Sequence, residues 1–372
     1  MNVLSLFDGK SGAMAALQSI GINPNNYYAC EIDRYAQKLS RFHYPDIIRL
    51  GDVTKVSFMD LPKIDLLVAG FPCQAFSFAG KQLNFEDPRG KLFFEVVRLL
   101  QEIQPRFFLL ENVRMKKDIE EEINKLVGVR PVLINSALLG AQNRLRNYWC
   151  GGYKDGKVYQ IEIPQPEDMG ILLKDIIEDG ESDRGKSHCI DANYAKGANW
   201  EQYQNKSRRQ LIITGGAQRG RYLVDGKRAD TRVGSMAGLT EQRIELREDG
   251  KSNCLTTVQK DSLCIQVGEA DINAYRERKA VYSIYGKCPT LLTASGGNHE
   301  KKITEDNLTW RKLTVKECCR LQNYPDDYCD WGIDEKGKQV VISKSQGYKM
   351  LGNGFDRATV AHCLKYILKV TK

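Results

Sequence analysis

Short apolar runs alternate with amphipathic stretches over roughly the first 150 residues, and this alternation limits the fold more than any other feature of the sequence. Apolar runs of strand length, each followed by a segment with helical periodicity, are typical of a parallel sheet that is covered by helices. We therefore predict an α/β fold, with strands over residues 3–7, 27–30, 65–69 and 107–110 and helices over residues 13–20 and 91–103.

Five acidic or sulfur-bearing residues follow apolar runs closely. They are Asp8, Glu31, Asp52, Cys73 and Glu111. In an open α/β sheet, ligands bind just beyond the carboxyl ends of the strands. Because these ends lie at one edge of a parallel sheet, we expect the five side chains to surround a common site.

The regular alternation fades at about Tyr153, where glycine, serine, asparagine, arginine and threonine become frequent. Between Lys206 and Arg232 basic residues outnumber acidic ones, and glycines interrupt them, which favours loops over a helix face. Helical periodicity returns over residues 315–321 and again before Lys369. The pattern predicts a large domain over residues 1–153 plus 343–372 and a smaller, irregular, β-rich domain over residues 154–342.

Composition excludes several classes of protein. No apolar run approaches the roughly 20 residues that a membrane span requires, and the N-terminus lacks the basic region of a signal peptide. The 11 cysteines form no C-x-x-C pair and are accompanied by only 4 histidines, so we expect neither a disulfide framework nor a metal site. We predict a soluble intracellular protein. The net charge of +8 suits a polyanionic partner but does not establish one.

The segment Gly70-Phe71-Pro72-Cys73-Gln74 is the most informative part of the sequence. Proline fixes the turn after a buried strand. Backbone N–H groups at such a turn lower the pKa of a thiol and favour a thiolate nucleophile. On its own, however, a Pro-Cys pair is more often structural than catalytic.

This pair stands in a series of motifs whose order resembles that of the cytosine-5 DNA methyltransferases. The resemblance runs from Leu4 to about Leu368 and is missing only over residues 154–308, where this family varies. Its motifs are Phe7-x-Gly9, Glu31, Gly51-Asp52, Pro72-Cys73-Gln74, Glu111-Asn112-Val113, Gln142-x-Arg144-x-Arg146, Arg311-x-Leu313-Thr314 and Gly352-Asn353.

The resemblance implies a Rossmann-like methyltransferase sheet, with residues 154–342 as a target-recognition domain that binds double-stranded DNA. It also implies that a methyl group passes from S-adenosylmethionine to C5 of a cytosine. Because C5 is inaccessible in a stacked duplex, the base would have to be flipped into the site. Residues 74–88 are long enough to form a loop that closes over it.

The same resemblance assigns catalytic roles. Cys73 would add to C6 of the base, and Glu111 would hold and protonate N3. Arg146 would contact O2 of the base, while Arg144 and Gln142 would position the nucleotide. No residue is identified as the base that removes the C5 proton.

The predicted cofactor site lies at the first turn and at the next strand ends. By resemblance, Glu31 would bind the ribose hydroxyls, Ile32 would lie against the adenine, and Asp52 would accept from the adenine amino group. The turn lacks the G-x-G-x-x-G pattern, so a dinucleotide-dependent oxidoreductase is not supported. The other predicted cofactor residues are Phe7, Asp8, Gly9, Lys10, Gly12, Leu92 and Asn353.

Lys10 departs from the family pattern, in which an apolar residue usually follows the glycine of this turn. Its stem could pack while its ammonium meets Asp8, water or the amino-acid carboxylate of the cofactor. It could instead pair with a carboxylate on the transferred carbon, as in carboxy-S-adenosylmethionine, which would make the enzyme a carboxymethyltransferase. Gly354-Phe355 is a second, smaller departure near the same pocket.

Two other functions stay open. An RNA-directed member of the same family would methylate tRNA, but the Cys-Phe-Thr tripeptide typical of that group does not occur in the sequence. A non-catalytic DNA-binding relative would not need Cys73, Glu111 and Arg146 together. We predict a monomeric DNA methyltransferase in a bacterial or phage-infected cytoplasm, without a prediction of the DNA sequence that it recognises.

Overall fold

We describe the chain from a computed structural model. The described residues are 1–72, 88–180, 182–196, 203, 209–215, 217–221, 223–224, 227–228, 241–245, 266–269, 280–283, 302–304 and 309–369.

A sheet of eight strands forms the centre of the larger part of the chain. Its strands are β1 (Asn2–Leu6), β2 (Asn26–Cys30), β3 (Ile48–Gly51), β4 (Leu66–Gly70), β5 (Phe107–Val113), β6 (Pro131–Asn135), β7 (Leu145–Lys154) and β8 (Lys157–Gln160). They lie in the order β3-β2-β1-β4-β5-β7-β6, and β8 pairs with β7. Strands β1 to β5 are parallel, whereas β7 is antiparallel to β5, β6 and β8.

Helices follow most of the parallel strands. They are α1 (Gly12–Ser19), α2 (Arg34–His43), α3 (Pro88–Ile103) and α4 (Lys117–Val127), followed near the C-terminus by α5 (Val315–Leu321), α6 (Lys344–Asn353) and α7 (Arg357–Ile367). Helix α7 returns to pack against α1. Local sequence starts α5 at a capping box, in which Thr314 and Glu317 each accept a hydrogen bond from the other's backbone N–H.

Successive residues of the central strands pack into two different hydrophobic clusters. Leu4 and Leu67 belong to one cluster, and their neighbours Val3 and Leu66 belong to the other. Because adjacent side chains of a strand point to opposite faces, the sheet is buried on both of its faces. This arrangement confirms the predicted α/β class.

Strand β5 is longer than the sequence predicts. The predicted strand over residues 107–110 ends before Glu111, whereas β5 continues to Val113. The reason is the antiparallel pairing with β7, which extends to the pair Val113 and Arg146. Glu111 therefore lies within a strand, between Gly70 of β4 and Tyr148 of β7, and not beyond a strand end.

The chain divides into two compact units. The first contains Met1–Ile176, Arg184–Gln210 and Leu313–Lys372, and the second contains Ile177–Asp183 and Leu211–Lys312. These limits differ from the predicted boundaries at residues 153 and 343, because much of the chain between them packs with the first unit. The assignment of DNA binding to residues 154–342 stays a prediction.

The second unit contains short strands, in keeping with the β-rich texture that its sequence predicts. They are β9 (Leu211–Gly215), β10 (Ala217–Arg221), β11 (Leu223–Val224), β12 (Lys227–Arg228), β13 (Glu241–Glu245), β14 (Gln266–Glu269), β15 (Ala280–Ser283), β16 (Lys302–Thr304) and β17 (Thr309–Lys312). Strand β9 pairs with β17, β10 with β13, β11 with β12, and β15 with β14 and β16. In the first unit, β18 (Trp331–Ile333) and β19 (Gln339–Val341) form a separate hairpin.

Two features are absent from the described residues. No helix among them combines the length and the apolar character that a membrane crossing needs. No three histidine, cysteine, aspartate or glutamate side chains among them are grouped so that they could hold a metal ion. The expectation that the protein needs no metal stays a prediction.

Candidate active site

A cavity of about 350 Å³ opens at the carboxyl ends of β1 to β4 and beside the last residues of β5. Gly12 and Gln142 do not line it, and Cys73 lies outside the described residues. Pro72, which immediately precedes Cys73, is part of the wall. The other predicted site residues all line the cavity: Phe7, Asp8, Gly9, Lys10, Glu31, Ile32, Asp52, Leu92, Glu111, Arg144, Arg146 and Asn353.

The turn after β1 adopts left-handed backbone at alternate residues, with φ of 56° at Phe7, 57° at Gly9 and 58° at Ser11. The Asp8 carboxylate is buried within it and accepts hydrogen bonds from Ser11 Oγ at 2.6 Å and from the Tyr27 hydroxyl at 2.7 Å. Burial raises the pKa of Asp8 in spite of these bonds. Its side chain therefore stabilises the turn, and it is not the partner of Lys10.

Glu31 connects the first turn to the end of β2. One carboxylate oxygen accepts from the N–H of Gly9 at 2.7 Å, and the other accepts from the N–H groups of Ile32 and Asp33 at 2.8 and 2.7 Å. Burial raises the pKa of Glu31 against the effect of these bonds. Three fixed donors hold the carboxylate in one orientation at the cavity wall. Beside it, the Ile32 side chain is 75% exposed and offers an apolar surface.

Asp52 follows β3 and begins a short helical turn, Val53–Lys55. Its Oδ1 accepts from both the N–H and the hydroxyl of Thr54, at 3.0 and 2.9 Å. These hydrogen bonds lower the pKa of Asp52. Beside Glu31, the cavity thus has the carboxylate of Asp52, which is ionised at neutral pH.

An ion pair that the sequence analysis missed also lines the cavity. Asp33 Oδ1 accepts from the N–H groups of Tyr35 and Ala36 and so caps α2, while its Oδ2 lies 2.6 Å from Lys349 Nζ of α6. Burial opposes ionisation of Asp33, but the bonds to Lys349 and to the two N–H groups outweigh it and lower its pKa. The pair joins α2 to the helix that ends at Asn353.

The Lys10 ammonium is buried, with 1% of the side chain exposed. It donates to Gln322 Oε1 and to the carbonyl oxygen of Phe355, both at 3.1 Å, and lies 4.7 Å from the centre of the Tyr324 ring. No carboxylate in the described part of the chain forms an ion pair with it. Burial lowers the pKa of Lys10 to about 7.

Gly354 makes room for this ammonium. A Cβ at position 354 would lie 2.0 Å from Lys10 Nζ. The backbone φ of Gly354 is −86°, which any residue adopts, so glycine is required here for space and not for conformation. The departures from the family pattern at positions 10 and 354 are therefore one structural feature.

Gly12 contributes through packing, since it does not line the cavity. A Cβ at Gly12 would lie 3.1 Å from Phe355 Cβ and 2.9 Å from the Tyr324 hydroxyl. Gly70 makes room in the same way, because a Cβ there would lie 2.7 Å from the Phe355 ring. Both glycines allow the chain after α6 to pack closely against the strand ends.

Glu111 and Arg146 form a buried ion pair in the cavity. Glu111 Oε1 lies 3.1 Å from Arg146 Nε, and only 12% and 13% of the two side chains are exposed. The next residue, Asn112, donates from Nδ2 to the carbonyl oxygen of Phe71 at 3.2 Å. This bond fixes the turn that leads through Pro72 to position 73.

Arg144, which precedes β7, is 2% exposed. Its Nη2 donates to the Gly354 carbonyl oxygen at 2.8 Å, and Nη1 and Nη2 lie 3.4 and 3.5 Å from the Gly352 carbonyl oxygen. Gln142 is fully buried, and its side-chain atoms have no partner among the described residues. The predicted roles of both residues stay predictions.

Cys189 lies beside both arginines, and no sequence signal pointed to it. Its Sγ is 3.5 Å from Arg144 Nη1 and 3.9 Å from Arg146 Nη2. Single cysteines in an irregular segment carry no pattern. Only the folded structure brings this one to the arginines.

Comparison with known proteins gives one family over nearly the whole chain. The family described as C-5 cytosine-specific DNA methylase matches residues 1–369. The chain is 31% identical to the orphan methyltransferase M.Rho11sI of Bacillus phage rho11s, over 82% of this chain and 69% of the relative. It is 28% identical to the type II methyltransferase M.HhaI of Haemophilus parahaemolyticus, over 99% and 93% of the two chains. For M.HpaII of Haemophilus parainfluenzae the identity is 30%, over 94% and 84%.

Solved structures share the fold at low sequence identity. The Entamoeba histolytica methyltransferase EhMeth matches with a TM-score of 0.60 and 13% identity, over 99% of this chain and 98% of that one. The Dnmt2 methyltransferase of S. pombe matches with a TM-score of 0.58 and 13% identity over the same shares. These matches confirm the predicted Rossmann-like methyltransferase fold.

Proposed function

Because the chain belongs to the family of C-5 cytosine-specific DNA methylases, we propose that its cavity is where a methyl group passes from S-adenosylmethionine to C5 of a cytosine in double-stranded DNA. The observation that carries this proposal is the presence of two sets of side chains in one cavity. The ends of β1 to β3 contribute carboxylates and an exposed apolar side chain. Strands β4, β5 and β7 contribute the Glu111–Arg146 ion pair beside Pro72.

The residues at the ends of β1 to β3 fit the cofactor. Glu31 is held by three N–H groups and has lone pairs left to accept from the two ribose hydroxyls. The exposed Ile32 suits one face of the adenine. The ionised Asp52 uses Oδ1 for Thr54, which leaves Oδ2 for the adenine amino group. When bound, the cofactor supplies an electrophilic methyl group.

The Glu111–Arg146 pair and Cys73 would activate the base. The Cys73 thiolate adds to C6, and the electron pair of the C5–C6 double bond makes C5 nucleophilic. Glu111 protonates N3, so no charge accumulates on the ring, while Arg146 donates to O2. After C5 has gained the methyl group, its proton passes to a base and the electrons of that C–H bond re-form the C5–C6 double bond. Cys73 then leaves as thiolate, and N3 returns its proton to Glu111.

Trapping on a fluorinated substrate tests this proposal. DNA with 5-fluorocytosine at the target should form a stable covalent complex, because fluorine cannot leave as a proton does. Mass spectrometry should locate the bond at Cys73, and nucleosides from normal DNA should contain 5-methylcytosine. Cys73→Ala should abolish trapping and turnover, and Cys363→Ala, at a buried cysteine of the core, should retain both. Turnover of Cys73→Ala at the wild-type rate would overturn the proposal.

One observation supports carboxy-S-adenosylmethionine as an alternative donor. Lys10 lines the cavity, and its ammonium is buried among neutral acceptors. A buried cation is stabilised by an anion, and a carboxylate on the transferred carbon would provide one. Ordinary S-adenosylmethionine presents a positive sulfonium and a neutral methyl group instead, and only its amino-acid carboxylate could pair with Lys10.

Competition between the two donors separates these alternatives. If Lys10 selects a carboxylated donor, the preference for that donor over S-adenosylmethionine should be about tenfold to a hundredfold greater in the wild type than in Lys10→Leu. The transferred group is read by mass spectrometry as 5-methylcytosine or 5-carboxymethylcytosine. Equal donor preference in the two proteins would leave plain methylation as the activity.

The same family membership supports a proposal for the location in the cell and for the partners. The relatives named above come from Haemophilus and from a Bacillus phage. We infer that the protein acts on double-stranded DNA in a bacterial or phage-infected cytoplasm, as a monomer. The segment over residues 154–342 would supply most of the contacts with DNA.

A further inference from the structure

The Arg144 guanidinium is a buried positive charge without a carboxylate partner. Among the described residues, its acceptors are the carbonyl oxygens of Gly352 and Gly354 and the sulfur of Cys189. Its Nε is buried without any such partner. Carbonyl dipoles orient a guanidinium but carry no net charge. The carboxylates of Glu111 and Asp356 act on Arg144 without forming an ion pair with it, so an anion in direct contact would stabilise it further.

Cys189 is the group that both arginines share. Its Sγ lies 3.5 Å from Arg144 Nη1 and 3.9 Å from Arg146 Nη2. Arg146 is also bound by Glu111 at 3.1 Å, so Glu111, Arg146, Cys189 and Arg144 contact one another in that order. As a neutral thiol, Cys189 could donate, among the described residues, only to the Ile190 carbonyl oxygen at 3.5 Å.

We propose that Cys189 is a thiolate that positions Arg144 and Arg146 for the reaction described above. It would be a positioning residue, because it acts on the base only through the two guanidiniums. With its negative charge, the four groups carry two positive and two negative charges. Without it, two guanidiniums would face each other across a neutral atom, and Arg146 would be displaced from the edge of the base.

The electrostatics of the surroundings support the charged form. Burial opposes ionisation of the Cys189 thiol, but Arg144 and Arg146 outweigh it, and the pKa lies below its ordinary value. The other ionisable groups that act on this cluster through Arg144 are Glu111, Tyr148 and Asp356. The carboxylates among them disfavour a further anion, so the two guanidiniums are the cause of the lowered pKa.

Replacement of Cys189 by residues of different charge tests the proposal kinetically. Because the proposal rests on the proposed function, the readout is kcat for methyl transfer to DNA. Cys189→Ser keeps the size but removes the charge, and we expect kcat to fall about tenfold to a hundredfold with little change in KM for the donor. Cys189→Asp restores an anion and should recover much of kcat. Cys363→Ala is the matched control.

Two kinetic outcomes would overturn the proposal. One is wild-type kcat in Cys189→Ser. The other is a Cys189→Asp variant that is as slow as Cys189→Ser although both unfold at the wild-type urea concentration. A purely structural cysteine would tolerate serine better than aspartate, which is the reverse of the expected order.

A second measurement needs no activity and so separates this proposal from the proposed function. The rate of alkylation of Cys189 by iodoacetamide is followed from pH 5 to pH 9 by peptide mass spectrometry in the Cys73→Ala variant. The midpoint should lie below about 8.5, the ordinary value for cysteine, and should rise in Arg146→Gln. A midpoint at or above the ordinary value, unchanged in Arg146→Gln, would show a neutral thiol and overturn the proposal.

Discussion

Burial of the Lys10 ammonium makes folding of this protein depend on pH. The pKa of Lys10 is about 7 in the folded chain, against an ordinary 10.5. Between these values the unfolded chain binds more protons than the folded one, so this residue makes stability rise as pH increases from about 7 to 10.5. Lysine at this position is therefore least favourable at low pH.

Lys10→Met removes this titration and keeps the length of the side chain. The variant should be more stable than the wild type, and the difference in the free energy of unfolding should be largest at pH 6. That advantage should shrink as pH rises above 7, by at most roughly 1.4 kcal/mol per pH unit. Urea unfolding of both proteins at pH 6, 7, 8 and 9 measures the difference. A difference that is constant over this range would contradict a buried, titrating lysine.

A side chain at position 354 should cost less stability when the residue at position 10 is short, although a Cβ there would still lie 2.8 Å from the Met350 carbonyl oxygen. Gly354→Ser places a Cβ where the Lys10 ammonium lies, and we expect a loss of about 1–3 kcal/mol of stability. In a Lys10→Leu background the same serine meets no ammonium, so its cost should fall by about 1 kcal/mol or more. Urea unfolding of the four proteins gives the coupling energy. Additive effects would mean that the ammonium moves aside at no cost.

At the scale of elements, the Asp33–Lys349 pair ties the start of α2 to α6. Asp33→Asn keeps a good helix cap but loses the ion pair, whereas Asp33→Ala loses both. Because the Lys349 side chain is 45% exposed, we expect the ion pair to contribute less than about 1 kcal/mol and the cap about 1 kcal/mol more. Urea unfolding should therefore rank wild type, Asp33→Asn and Asp33→Ala in that order. Equal stability of Asn and Ala variants would exclude the cap.

What the sequence predicts at this scale depends on how local the cause is. The strands ending near Leu6, Cys30 and Gly70 are buried apolar runs, and their bounds agree with the structure to within about two residues. Strand β5 runs on to Val113 because of its partner β7, which a local pattern does not show. The sequence does not predict helix α6, because its serine, lysines and glycines obscure a face that is buried only in the tertiary structure.

The same distinction holds for the site. Carboxylates at strand ends, such as Glu31 and Asp52, are predictable because the strand positions them. The contacts of Lys10 with Gln322 and Phe355 join residues more than 300 positions apart, and no spacing rule relates them. Cys189 is a similar case, since it meets the arginines only after the chain has folded.

At the scale of the whole molecule, we expect the first unit to carry out methyl transfer and the second unit to select the DNA sequence. We expect that exchange of residues 211–312 for the corresponding segment of a relative transfers sequence preference. Arginines in this segment can form bidentate contacts with guanine, each worth about 1–3 kcal/mol of discrimination. Bisulfite sequencing of methylated DNA reads the preference, and trapping on 5-fluorocytosine reads the retained chemistry. A chimera that changes in rate but keeps the original target would contradict this division.

The close approach at position 354 also restricts the order in which this chain acquired two of its residues. A lysine that arose at position 10 beside any larger residue at 354 would have met occupied space. A glycine at 354 beside a shorter residue at position 10 would have left only a small void, at about 1 kcal/mol for a missing methyl group. The accessible mutational path therefore runs through Gly354 first. Loss of Lys10 removes one of two obstacles to a side chain at 354, since a Cβ there would still lie 2.8 Å from the Met350 carbonyl oxygen.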